Sequence, residues 1–79
     1  MFDYAKLKGR IREVCETDKK FAEKMGIDRA TLSKSLNNRR DFSQEEIQKA
    51  CAILQITTDQ IGAYFFKEQV AKKQLSPSQ

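Results

Sequence analysis

Two short amphipathic stretches, residues 18–25 and 29–37, are separated by a single glycine turn, and this spacing constrains the fold of the 79-residue chain more than any other feature. Phe21, Ala22 and Met25 recur at the intervals that line one face of a helix, and so do Leu32 and Leu36 on the second stretch. Gly26 lies between them, where a helix stops most cheaply in a left-handed conformation. Ala22 is small where a second helix must cross closely, and Ile27 and Leu32 are apolar where a wedge between the two must be filled. The pattern predicts a short helix, a tight turn capped by Asp28, and a second short helix.

The flanking sequence predicts more helices and no convincing strand. A first helix is expected over residues 3–15, with Leu7, Ile11 and Val14 inward and Asp3 at its N-terminal end. Ser43 followed by Glu46 is a capping-box pattern, opening a fourth helix whose buried stripe is Ile47, Ala50, Cys51 and Leu54. Thr57 or Thr58 is expected to cap a fifth helix carrying Ile61, Tyr64 and Phe65 and continuing past Lys67. The expectation is an all-α, five-helix single domain over residues 1–73 with a loose tail at 74–79.

No apolar run approaches the ~18 residues of a membrane span and no signal peptide opens the chain, so a cytoplasmic protein is expected. Cys15 and Cys51 read as buried thiols: two cysteines without a histidine do not make a zinc site, and no metal or cofactor is expected. An enzyme is not expected, because there is no histidine, no glycine-rich phosphate loop and no nucleophile with an evident base.

The net charge of +4 is concentrated within residues 17–40, where Lys19, Lys20, Lys24, Arg29, Lys34, Arg39 and Arg40 face only Asp18, Glu23 and Asp28. The rest of the chain balances. A local excess of cations on a helix-turn-helix pattern points to a polyanionic partner. With the inner side of the second stretch committed to the core, Arg29, Ala30, Ser33 and Lys34 are the candidates for base contacts in a major groove. Arg29 suits guanine and Ala30 suits a thymine methyl. Lys19, Lys20, Asn37, Asn38, Arg39 and Arg40 are the candidates for phosphate contacts.

These residues resemble the phage lambda repressor and Cro superfamily, through residues 21–27, then Thr31-Leu32-Ser33-Lys34, Leu36-Asn37 and Leu54-Gln55-Ile56. The opening residues 1–10 and Tyr64-Phe65-Phe66 are similar to short regulators of phages and prophages of Gram-positive bacteria. The resemblance covers about residues 3–66. It implies a lambda-repressor-like five-helix domain, usually a homodimer, that binds a pseudo-palindromic double-stranded DNA operator as a repressor or Cro-like regulator. Two departures stand out: Ser35 replaces an apolar residue, and the turn after the recognition helix is the charged Asn38-Arg39-Arg40.

Tyr64, Phe65 and Phe66 cannot all point one way from a helix, so part of the patch with Ile61 is expected to form a self-complementary dimer contact. Half-sites would then lie about 34 Å apart. The alternative is a protein-interaction module, antirepressor-like or antitoxin-like, that reuses the scaffold without reading DNA.

Overall fold

The structure, a computed structural model, describes residues 1–68, so the boundary expected at residue 73 and the 74–79 tail lie outside the described residues. Five helices follow in order: α1 (Ala5–Cys15), α2 (Asp18–Met25), α3 (Arg29–Leu36), α4 (Gln44–Leu54) and, after a 3₁₀ turn at Thr58–Gln60, α5 (Ile61–Phe65). The fold class is all-helical, as the spacing predicts. Helix α1 packs on α2, α4 and α5, while α2 also packs on α3 and α4.

The inward face of α1 carries Leu7, Ile11 and Cys15, with Tyr4 continuing it backwards. Val14, expected inside, is 36% exposed. At about 100° per residue the four buried positions span an arc of roughly 80°, and Val14 falls about 20° beyond its edge. The thiol of Cys15 takes the buried place instead.

Thr17 caps α2 through its Oγ1, which accepts from the Lys20 amide at 3.1 Å. The helix stops at Gly26, whose φ of 75° is left-handed, and the amides of Gly26 and Ile27 return to the Glu23 and Ala22 carbonyls. Phe21 and Leu32 are fully buried on either side of this turn, each worth about 1.5–3 kcal/mol of transfer free energy. Asp28 holds the cap position of α3 by backbone alone: its carbonyl accepts from Leu32, but its carboxylate makes no capping hydrogen bond.

On α4 the full capping box forms, with Ser43 Oγ accepting from the Glu46 amide at 3.1 Å and Glu46 Oε1 from the Ser43 amide at 2.9 Å. Ala50 and Leu54 are buried, and Ile47 and Cys51 half-buried. The helix ends on Gln55 at φ 57°, a left-handed position without a glycine.

Helix α5 is shorter than expected and does not pass Lys67. The chain first makes the 3₁₀ turn, with Thr57 extended but no threonine side chain capping it, and leaves the helix at Phe66. Past Phe66 the chain extends, and Glu68 forms an antiparallel bridge with Phe2 through the Asp3 amide, which donates to the Lys67 carbonyl at 2.6 Å.

Candidate functional site

Helix α3 presents two unlike sides. Leu32, Ser35 and Leu36 are buried, whereas Arg29, Ala30, Ser33 and Lys34 are exposed together along the outer arc. Asn37 lies within that arc, its Nδ2 donating to the Ser33 carbonyl at 2.8 Å and to Ser33 Oγ at 3.3 Å. Arg29 also lines a shallow depression with Arg12 and Lys19, near the start of α2. The residues singled out as base-contact candidates thus share one solvent face, with Lys19 beside it.

The basic residues divide into two groups. Lys19, Arg29, Lys34 and Arg39 are exposed and make no ion pair among the described residues. Lys20 pairs with Glu16 one turn away, and their hydrogen bond holds the ammonium above its ordinary pKa and the carboxylate below it. Arg40 turns inward: Nη1 donates to Ser35 Oγ at 2.8 Å, and the guanidinium grips Glu46 through bonds of 3.0 and 2.7 Å. This explains how a serine sits fully buried in α3, since its hydroxyl has a charged partner. The hydrogen bond to Arg40 holds the Glu46 carboxyl below the usual glutamate range, against the opposing effect of burial.

Asn38 is likewise engaged inside the molecule. It sits at φ 62°, and its side-chain amide clamps the Phe2 backbone, Oδ1 accepting from the Phe2 amide at 2.8 Å and Nδ2 donating to the Phe2 carbonyl at 2.9 Å. Of the six candidate phosphate ligands, Asn38 and Arg40 therefore spend their polar atoms on the fold. Their partners lie 36 and 6 residues away, at positions no local pattern connects.

The aromatic patch also differs from expectation. Tyr64 and Phe65 are core residues, 8% and 1% exposed, so neither is free for a dimer contact; Ile61 is half-buried and Phe66 is 51% exposed. What sequence spacing does not reveal is that Phe66 joins aromatics from the far ends of the chain. Its ring meets Phe2 edge-on at 5.7 Å, Phe2 lies 6.1 Å from Tyr4, and Tyr4 packs edge-on against Phe42 at 5.6 Å. Phe42 in turn packs edge-on against Phe65 at 5.4 Å. These rings surround a cavity of about 290 Å³, and next to it runs a groove of about 430 Å³ lined by Phe42, Gln44, Ile47, Gln48, Ile61 and Phe66. Asp41 lines the cavity, and its charge together with burial raises the Tyr4 hydroxyl pKa, burial acting most. Both cysteines are free thiols; Cys15 is buried as expected, whereas Cys51, expected buried, is half-buried, and burial raises its pKa.

Residues 1–68 match the family described as "Protein of unknown function (DUF739)". The chain belongs to this family. No curated protein matches it. Among solved structures it is similar to the solution structure of the modulator of repression (MOR) of the temperate bacteriophage TP901-1 from Lactococcus lactis, with 37% sequence identity and a TM-score of 0.75. The match covers 89% of this chain and 95% of that one. Similarity on this scale places the same overall fold in both proteins. Among the described residues no helix is long and apolar enough to cross a membrane.

Proposed function

We propose that this protein modulates repression in a phage-type genetic switch, and that it does so by holding a repressor protein in the aromatic groove beside its helix-turn-helix. The observation that carries this reading is the open groove itself, with Phe66 half exposed at its edge. Exposed aromatics beside a concave apolar surface are the usual anchors of protein association. Support comes from the 37% identity to a phage protein named as a modulator of repression.

The groove is lined by uncharged side chains and the adjoining cavity carries one carboxylate, Asp41, so apolar contact rather than charge is what would hold such a partner. A repressor whose DNA-binding face lay in this groove would be kept from its operator.

A second reading keeps direct operator binding through α3, because Arg29, Ala30, Ser33 and Lys34 share one exposed arc with Lys19 and Arg39 uncommitted nearby. In that reading any homodimer contact falls to Ile61 and Phe66. The two readings separate by mapping amide shifts of the labelled protein during titration with the DNA-binding domain of the repressor from the same switch, and then with operator duplex. Shifts at Phe42, Ile47, Ile61 and Phe66 on adding repressor support the first reading. Shifts confined to residues 29–37, on adding duplex alone, would replace it with the second.

A further inference from the structure

The clamp between Asn38 and Phe2 does nothing for either proposed surface by itself, yet it is bought with a left-handed conformation at a residue other than glycine. Both polar groups of the asparagine amide are used on the N–H and C=O of one residue, as a neighbouring strand would use them. On its other edge the same segment is held by the Asp3–Lys67 hydrogen bond that makes the antiparallel bridge between Phe2 and Glu68. Two further contacts complete the set: the Met1 ammonium lies 4.0 Å from Glu68, between exposed groups, and adds little, while the Asp3 carboxylate accepts from the Ala5 amide at 2.9 Å, a local exposed bond at the hinge end. Tyr4 is buried and its carbonyl opens α1 by accepting from Lys8. The three residues before it therefore form a short extended segment anchored at one end and pinned along two edges.

We propose that residues 1–3 are a strap hinged at Tyr4, that Asn38 is the catch setting its closed position, and that opening it uncovers the aromatic cavity beneath. The Phe2 ring is part of the cavity wall and packs on Phe66, so lifting the strap removes that wall and widens the opening towards the groove. Asn38 follows directly on the C-terminus of α3, and its amide donates to the Ser35 carbonyl at 3.3 Å. A shift of the α3 terminus is thereby passed to the strap, which couples the two faces of the molecule. The device belongs to the free protein and does not depend on which macromolecule binds.

The test is water-exchange NMR on the full chain, comparing the wild type with Asn38→Gly. Glycine takes φ 62° freely, so the turn is kept while both clamp bonds are lost. The Phe2 and Asp3 amides should then exchange together, each about tenfold faster, while the Leu32 and Leu54 amides keep their rates. Asn38→Asp, which retains the acceptor and loses the donor, should fall between. The proposal is overturned if Phe2 alone quickens and Asp3 does not, since the strap would not move as a unit. It is equally overturned if neither changes, or if core amides quicken by the same factor, since the segment would then open only with the whole fold.

Discussion

Replacing Glu46 by glutamine tests how much of the placement of α3 depends on polar contacts that face inward. The wild-type carboxylate accepts two bonds from Arg40 and one from the Ser43 amide, and Arg40 is also the partner of buried Ser35. Bonds to a charged group are worth about 1.5–3 kcal/mol, and a capping contact about 1 kcal/mol. The Arg40 side chain is 34% exposed and Glu46 16%, so water recovers part of the loss. The net expectation for Glu46→Gln is about 2 kcal/mol at pH 7, lowering Tm by roughly 8–16 °C in a domain of this size.

The pH dependence has a definite sign. Because the folded-state pKa of Glu46 is depressed, its contribution is complete above the unfolded-state value of about 4.3 and is lost as pH falls through the lower folded value. Thermal unfolding followed by circular dichroism at several pH values should therefore show the gap between wild type and E46Q closing below about pH 4. A Tm difference under about 3 °C at pH 7, or a gap unchanged at pH 3, would refute the reasoning, leaving Ser35 and Arg40 held by packing alone.

Other substitutions test neighbouring points. Gln55→Gly relieves a left-handed C-cap at φ 57° and should raise stability by about 0.5–1 kcal/mol in urea unfolding. Gly26→Ala places a side chain at φ 75°, with only the Lys49 ammonium near the added carbon, so the cost of about 1–2 kcal/mol comes from backbone strain and should appear as a lower urea midpoint. Phe66→Ala, which removes a half-exposed ring packed on Phe2, should cost about 1 kcal/mol of stability and, if a repressor is held in the groove, weaken that binding by at least tenfold in calorimetry. Arg29→Ala should leave repressor binding in the groove intact; if direct operator binding occurs, it should cost that binding about 1–3 kcal/mol in a duplex titration.

The parts of the fold legible in the sequence are those written in local spacing. Gly26 between two apolar periods announces the turn, and Ser43 with Glu46 announces the start of α4, because each signal and its partner lie within one helical turn. Val14 lies only about 20° outside the buried arc of α1, and Tyr4, packed on Phe42 and preceding the helix, marks that arc's direction in a way no pattern within α1 encodes. Helix α5 stops early for a similar reason: the Phe2 backbone supplies the bridge that draws residues 67–68 out of the helix.

The site was legible to a lesser degree. The outer arc of α3 follows directly from its buried side, so Arg29, Ala30, Ser33 and Lys34 emerge together. Charge counting, however, treats all cations alike, and Arg40 and Lys20 differ from Lys19 and Arg39 only by acids that folding brings into reach. The aromatic cavity is the least legible feature, because Phe2, Phe42 and Phe66 are widely separated in sequence and meet only when residues 2–4 and 65–66 pack beside the start of α4.

Repression modulated through a protein contact is tested most directly by following fluorescence anisotropy of a labelled operator bound by the repressor of the same switch while this protein is added. Loss of the repressor–operator signal at stoichiometric protein, with no signal from the protein and operator alone and with Phe66→Ala inactive, is the expected result. A salt-sensitive complex between the protein and operator alone, formed equally well by Phe66→Ala and abolished by Arg29→Ala, would contradict it.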